Sequence, residues 1–353
     1  MNPTPDDVGG LLSHSQKSNV SGFMNTKILS LLSLLILVVS GCSREKLSDL
    51  SVVDSNKVER QHNELDRWIR ETLTLPYGIE VIYRWERNAA QPGSFTYPPK
   101  ADNVKAVLET AKHLWIDLYT QDEFGGKDFM KGKAPIKIYM YGGKNVDIHG
   151  FELLSNATAI GSEMHIYNVN DFDPKDQSKV YALMRSVHHQ FARRLSELFA
   201  YDRDKFLAIS KNRYVSSTGD YLATVQKGIT DRSRIFSISD YGNKRGTLTI
   251  NALLSAQDDF CEIVSATITY TAKDIKQAIR NAQTPYPSGD DPQDQQRALE
   301  AAKQAHHELV TKLDFVNDYF SKTVGINMVR FQRASNKLMR TYLSTEEKSE
   351  TDR

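Results

Sequence analysis

The chain has 353 residues, with 45 basic and 44 acidic side chains and a formal net charge of +1 at neutral pH. This balance, and the lack of a basic run interleaved with aromatic residues, argue against a nucleic-acid-binding protein. The chain is long enough to bury a substantial core in one large domain or two small ones.

The N-terminal region predicts a lipoprotein signal. A short apolar run from Ile28 to Val39 leads into Val39-Ser40-Gly41-Cys42. A run of this length is typical of a signal peptide and is too short for a permanent membrane span. The small residues before Cys42 are typical of a bacterial lipobox, whose cysteine is acylated and anchors the protein to a membrane. A plain secretory signal with a chance cysteine is the alternative. We predict a signal peptide over residues 1–41, with the true start at Met24, and a lipidated tether over 42–60.

The chain has two cysteines, Cys42 and Cys261. Once Cys42 is acylated, no internal disulfide is possible. We therefore expect Cys261 to be a small buried hydrophobic residue and not a nucleophile.

Strand patterns precede helix patterns along the rest of the chain, which indicates an α+β fold with a small N-terminal mixed sheet and a mostly helical C-terminal part. One domain is expected over residues 61–345, followed by a disordered tail over 346–353. The predicted elements are a helix over Lys57–Leu73 broken by Pro76-Tyr77-Gly78, a strand over Ile79–Trp85, a Pro-rich loop over Gln91–Pro99, a helix over Asp102–Tyr119, a strand over Pro135–Tyr141, strand-like pieces at Phe151–Leu154, Thr158–Ile160 and Met164–Tyr167, a helix over Asp176–Phe199, a loop over Gln283–Gln296, a helix over Pro292–Thr323 and a last helix ending at Tyr342.

The helix over Asp176–Phe199 contains a motif similar to HExxH, in which two histidines four residues apart hold zinc and the glutamate activates a zinc-bound water. His189 can be the first ligand, but Gln190 stands at the position of the base and Arg193 at that of the second ligand. A frame beginning at His188 places Ala192 at the second ligand position instead. Two of the three functional positions are therefore replaced.

A helical projection separates the two histidines. His188 lies beside the apolar face, where a packed histidine with one hydrogen bond is expected, whereas His189 and Arg193 share the opposite face. That face is where a metal cleft would lie, and a solvated surface histidine is the alternative for His189. The apolar face comprises Val180, Met184, Val187, Phe191, Leu195 and Leu198.

A later helix begins near Asp258, with Ser255 as the expected N-cap and acidic residues in its first turn. Its core face is predicted to carry Phe260, Ile263, Val264 and Ile268. Glu262 points away from that face, and a carboxylate from a later helix is the usual third ligand of this zinc class.

These motifs resemble those of Bacteroidetes lipoproteins known as substrate-import-associated zinc metallohydrolases, or zinc-binding metallopeptidases. That family has a lipobox, a His-His-Glu-Phe-x-His helix and a later Glu-Asp-Phe-Ala-Glu helix. The corresponding segments here are the lipobox ending at Cys42, His188-His189-Gln190-Phe191-Ala192-Arg193 and Asp258-Asp259-Phe260-Cys261-Glu262. The segment from Phe315 to Gln332 is also similar to the end of the family.

The resemblance implies a zincin-like scaffold over residues 61–345, zinc as the cofactor, and His189 and Glu262 as the first and third ligands. It also implies an outer-membrane setting beside a SusC/SusD-type import complex. Gln190 in place of the base and Arg193 in place of the second histidine bring both zinc and hydrolysis into question. Glutamine cannot accept a proton from water at neutral pH. Whether the protein is an enzyme therefore stays open.

A second HExxH-like run, His307-Glu308-Leu309-Val310-Thr311, has threonine at the second ligand position. It follows the Glu262 helix and lies in a charged segment. We expect His306, His307 and Glu308 to form a solvated helix face.

Three functions compete. The first is a catalytically impaired, membrane-anchored lipoprotein that binds a peptide, a glycan or an import partner. The second is an active zinc-dependent hydrolase with atypical ligands such as His188, His149 or His165. The third is a structural outer-membrane lipoprotein, which predicts no concave groove beside His189. Under the first hypothesis, we expect an Arg193–Glu262 ion pair at the position of the lost zinc.

Overall fold

The computed structural model describes residues 64–84, 94–147, 161–215, 223 and 238–351, all within the unit His62–Arg353. The predicted signal peptide, the tether and Cys42 lie outside the described residues. So do Trp85, His149 and the strand-like pieces predicted at Phe151–Leu154 and Thr158–Ile160.

Strands alternate with helices early in the described chain, and helices alone form its later part. In chain order the elements are α1 (Glu64–Ile69, continued by a π turn at Arg70–Thr74 and a last turn at Leu75–Tyr77), β1 (Glu80–Ile82), β2 (Ser94–Phe95), α2 (Ala101–Ala111, continued by a π turn at Lys112–Ile116 and a last turn at Asp117–Tyr119), β3 (Lys137–Met140), β4 (Val146–Asp147), β5 (Glu163–Ile166), a 3₁₀ turn (Val169–Asp171), α3 (Gln177–Leu198), α4 (Arg203–Ser210, then a 3₁₀ turn at Lys211–Arg213), α5 (Ile238–Asn243), a 3₁₀ turn (Ile250–Leu253), α6 (Ala256–Thr269), α7 (Ala272–Gln283), α8 (Pro292–Tyr319, continued by a π turn at Phe320–Val324) and α9 (Met328–Thr351).

The main sheet of the described chain has three parallel strands in the order β1-β3-β5. Tyr139 of β3 pairs in register with Ile82 on one side and with His165 on the other. Strands β2 and β4 form a separate antiparallel pair. The α+β class is confirmed, and the sheet is parallel rather than mixed.

Helix α3 is fixed at its start by a side-chain cap. The carboxylate of Asp176 accepts hydrogen bonds from the backbone N–H groups of Ser178, at 2.8 Å, and Lys179, at 3.4 Å, which satisfies donors that lack a partner in the first turn. The predicted helix over Asp176–Phe199 is thereby confirmed. Its predicted apolar face is buried except for Leu198, which is 41% exposed.

Helix α3 packs against α6 across a core that also includes α2, α8 and α9. Phe191 of α3 lies edge-on to Trp115 at 5.2 Å between ring centroids. Phe260 of α6 stacks on Tyr201 at 4.0 Å. Apolar burial of this kind fixes the relative rotation of the two helices, and thereby which polar residues meet at their far edge.

Two predicted helix ends differ from the structure. Helix α1 includes Pro76 and ends at Gly78, whose φ of 71° suits a residue without Cβ. Helix α9 continues beyond the predicted end at Tyr342 and reaches Thr351. Within the described ranges, no helix is both long and apolar enough to cross a bilayer.

Candidate functional site

One face of α3 presents Arg185, His189 and Arg193 at intervals of four residues, as the helical repeat requires. Glu262 and Asp258 approach from α6, where they are also four residues apart. Ser255 caps α6 by accepting a hydrogen bond from the backbone N–H of Asp258 at 3.0 Å, as predicted. The site is therefore built from two helix faces that run past each other.

The imidazole of His189 lies between two carboxylates. Its Nδ1 is 2.8 Å from Oε1 of Glu262, and its Nε2 is 3.7 Å from Oδ1 of Asp258. Burial opposes charge on this ring, but the hydrogen bonds and negative charges of Asp258 and Glu262 outweigh it and raise the pKa of His189 to about 9. At neutral pH the ring is an imidazolium with a proton on each nitrogen.

Both carboxylate oxygens of Glu262 are occupied by protein groups. Oε1 faces His189, while Oε2 accepts a hydrogen bond from Thr249 Oγ1 at 2.6 Å and a short one from Arg185 Nη2. Burial disfavours the carboxylate, but the charge of Arg185 and the bonds from His189 and Thr249 lower the pKa of Glu262 to about 2. Glu262 is therefore a fully engaged anion.

The predicted Arg193–Glu262 ion pair is wrong. In the part of the chain that the structure describes, Glu262 pairs with Arg185, two helical turns before Arg193 on the same face. The Arg185 guanidinium also lies over the ring of Tyr270, with 4.9 Å from Cζ to the ring centroid. Burial raises the pKa of Asp258, but the hydrogen bonds from His189 and Ser255 lower it by more. The charge of Arg193 lowers the pKa of Asp258 further.

Gln190, at the position of the base, joins α3 to the sheet. Its Oε1 accepts a hydrogen bond from the backbone N–H of His165 at 2.7 Å, and its Nε2 donates to the carbonyl of His165 at 2.9 Å. Nε2 is also 3.1 Å from Ser186 Oγ. The Gln190 amide thus pairs with the backbone of His165 in strand β5 through both its oxygen and its nitrogen.

The alternative histidine ligands are engaged elsewhere or enclosed. His188 is fully buried, and its ring nitrogens have no hydrogen-bond partner among the described residues, so the single bond predicted for it is not present there. Burial, together with the charge of Arg185, lowers the pKa of His188 to about 3. The Nδ1 of His165 is 3.0 Å from the hydroxyl of Tyr141, and burial lowers the pKa of His165 to about 4.

Two further predictions concern residues outside the site. Cys261 is a free, buried cysteine whose thiol pKa is raised by burial, as predicted. The prediction that Glu308 lies on a solvated face is wrong. Glu308 is 4% exposed and its Oε2 accepts a hydrogen bond from Arg213 Nε at 2.9 Å. The long sequence separation of this pair explains why helix periodicity alone did not indicate it.

A cavity of about 340 Å³ opens beside the His189 face of α3. The third hypothesis, a structural lipoprotein without a groove beside His189, is contradicted by it. The residues that line the cavity are Val107, Asn145, Ile166, Tyr167, Asn168, Asp171, Phe172, Lys179, Ala182, Leu183, Arg185, Ser186, His189, Gln190, Asn251, Leu254, Asp258 and Glu262. Sequence reasoning identified His189, Gln190 and Glu262 of this wall. It missed Arg185, Asn145 and Tyr167.

The donor set at this position does not fit zinc. A zinc ligand must offer a lone pair, whereas the raised pKa of His189, about 9, favours a proton on each ring nitrogen at neutral pH, and Nδ1 already faces Glu262 at 2.8 Å. Glu262 is neutralised by Arg185, and Arg193 stands at the position of the second histidine. Among the described residues, no three His, Cys, Asp or Glu side chains are grouped so that they could hold a metal ion.

Comparison with known proteins identifies relatives of the chain. Residues 57–329 match the family described as "Putative zinc-binding metallo-peptidase". A crystal structure of a putative zinc-binding metallo-peptidase from Bacteroides caccae ATCC 43185 is similar, with a TM-score of 0.55 and 18% sequence identity, over 80% of this chain and 94% of that chain. At this identity the likeness concerns the fold alone. No curated protein matches. The family match extends over well more than half of the chain, so the protein belongs to the putative zinc-binding metallo-peptidase family.

Proposed function

We propose that the protein is a non-catalytic member of this family, a membrane-anchored lipoprotein that binds a ligand in the cavity beside α3. The observation that carries the proposal is the closed ion network of Arg185, His189 and Glu262. Two protein cations there neutralise the carboxylate that would otherwise serve a metal. The negative charge that would attract Zn²⁺ is therefore already balanced.

Among the described residues, the two candidates for a base beside His189, Gln190 and Asp258, do not suit hydrolysis. A general base must accept a proton from water near neutral pH. The amide of Gln190 cannot do so, and both of its ends are bonded to His165. Asp258 is the remaining carboxylate beside His189, but the hydrogen bonds from His189 and Ser255 outweigh its burial and keep its pKa below the usual value, which makes it a weak base.

The anchoring part of the proposal depends on sequence. The lipobox ending at Cys42 supports acylation and an outer-membrane location. The motif resemblance supports a setting in nutrient import, with a peptide or glycan as the ligand and a SusC/SusD-type import complex as the partner. The cavity is large enough for a small ligand to bind there without being hydrolysed.

The test is metal content measured together with peptide hydrolysis on the full-length protein. The protein is incubated with excess zinc, desalted and assayed by mass spectrometry for bound metal, and then incubated with a casein digest. The proposal predicts substoichiometric zinc and no cleavage above a heat-treated sample. One zinc per chain that is lost in His189→Ala, together with cleavage lost in the same variant, would contradict it. Lys179→Ala serves as the control, because Lys179 lines the same cavity but pairs with Asp171 and not with Glu262.

A further inference from the structure

We propose that the outer side of α9 is a docking surface for anionic phospholipid headgroups and that it orients the protein on the membrane that its lipid anchor holds. This inference goes beyond ligand binding in the cavity and rests on the membrane-anchoring part of the proposed function. The surface is called the basic face of α9. It consists of four side chains, Arg330, Arg333, Lys337 and Arg340.

The basic face lies on the side of α9 that is turned away from the core. Its four cations follow one another at intervals of three, four and three residues, which places them along one side of an α-helix. All four residues are exposed. The opposite side of the helix is buried through Phe331, Ser335 and Met339. Packing of that side against the core therefore fixes the direction in which the cations point.

The basic face is a local excess of positive charge in a chain whose charges otherwise nearly cancel. Residues 328–345 contain four basic side chains and no acidic one, whereas the whole chain has 45 basic and 44 acidic side chains. Arg330 lies 3.7 Å from Glu123, and this pair contributes little because the two side chains are 69% and 54% exposed. In the described part of the chain, the other three cations form no ion pair. The positive charge of this face is therefore available to an external anion.

The described chain begins close to the helix that carries the basic face. Trp68 belongs to α1, the first described helix after the predicted tether, and its ring centroid is 5.6 Å from Lys105 Nζ of α2. Further along α2, Thr110 Oγ1 is 2.7 Å from the hydroxyl of Tyr342 in α9. Tyr342 follows Arg340, the last cation of the basic face, by two residues. Because α1 and α9 both contact α2, a tether that leaves the start of α1 joins the protein on the side of α9.

A membrane surface suits the shape and charge of this face. The four cations form a row about 15 Å long on one exposed helix side. A bilayer presents its phosphates as a plane, and its lipids can move to meet such a row, whereas an acidic protein would need carboxylates fixed at the same spacing. Each basic residue beside an anionic membrane strengthens binding roughly fivefold, and salt weakens the effect. So few cations orient a chain that acyl groups already hold, and they do not anchor it by themselves.

The experiment measures co-sedimentation with lipid vesicles for the processed chain, residues 42–353, carrying Cys42→Ser. This substitution prevents acylation, so that the basic face is tested by itself. Vesicles of phosphatidylglycerol and phosphatidylcholine in equal parts are compared with vesicles of phosphatidylcholine alone. We expect binding to the anionic vesicles at low salt and its loss at high salt. The triple variant Arg333→Gln, Lys337→Gln and Arg340→Gln should weaken this binding by roughly tenfold or more.

A second triple variant separates the basic face from net charge. Lys205, Lys211 and Lys303 are exposed lysines of α4, the turn after it and α8, and changing all three to Gln removes the same charge. This control should bind anionic vesicles as tightly as the parent does, and equal loss in both triple variants would overturn the docking surface.

Two other results would also overturn the proposal. The first is equal binding to neutral and anionic vesicles. The second is binding of polyglutamate, but not of vesicles, that the α9 triple variant abolishes, which would assign the face to an acidic protein. Failure of vesicle binding leaves the lipid anchor standing, because fractionation of cells that express Cys42→Ser tests the anchor independently.

Discussion

The ion network makes a quantitative prediction about two arginines on one helix face. In Arg185→Ala, Glu262 loses its guanidinium partner but keeps His189 and Thr249. Breaking a buried pair outright costs about 3–5 kcal/mol. Because two partners of Glu262 remain, and because the side chain of Arg185 is 17% exposed against 6% for Glu262, we expect a loss of about 2–3 kcal/mol in the free energy of unfolding.

Arg193→Ala is the matched control. Arg193 has the same side chain on the same face of α3, and the structure gives it no ion pair with Glu262. We expect it to cost less than about 1 kcal/mol. Urea unfolding followed by tryptophan fluorescence measures both variants, with the slope of the transition checked for equality. If Arg193→Ala is the more destabilising of the two, the placement of the guanidinium in this account is wrong.

Three further predictions test separate parts of the structure. Gln190→Glu should destabilise the fold by about 1–3 kcal/mol, because a carboxylate cannot donate to the carbonyl of His165 and is repelled by it; equal or greater stability in urea unfolding would contradict the described link between α3 and β5. His165 and His188 have folded-state pKa values of about 4 and about 3, below the ordinary 6.5, so the unfolded chain binds more protons and stability should fall as pH drops from 6.5 towards about 5. His188→Leu should flatten this dependence, measured as urea midpoint against pH, and an unchanged slope would exclude the assigned role. Cys42→Ser should move the protein from the membrane pellet to the soluble periplasmic fraction in cell fractionation, and retention in the pellet would point to another anchor.

Sequence periodicity predicted α3, the Ser255 cap of α6 and the carboxylate of Glu262 that faces α3, because these depend on local spacing. The same spacing of four residues that selects Arg193 after His189 also selects Arg185 before it. The choice between them depends on where α6 crosses α3, which is set by core packing between residues far apart in sequence. The partner of Glu262 was therefore open to two readings from sequence, and the local pattern favoured the wrong one.

The cavity wall was less accessible to prediction. Asn145 follows strand β3 and Tyr167 follows strand β5, and no motif distinguishes either residue. They share a cavity with α3 because β3 and β5 are parallel neighbours, whose carboxyl ends meet at one edge of the sheet. Glu308 was mispredicted for a similar reason. Its helix pattern indicates a solvated face, but its carboxylate is buried with hydrogen bonds from Arg213, which is distant in sequence, and from Gln304.

The protonation state of His189 tests the central claim most directly. ¹⁵N NMR of histidine-labelled full-length protein near neutral pH, with His189→Gln used to assign the ring signals, reports whether each ring nitrogen carries a proton. The account predicts a doubly protonated imidazolium between Glu262 and Asp258, unchanged when zinc is added. A neutral ring whose unprotonated nitrogen shifts on zinc addition would contradict it.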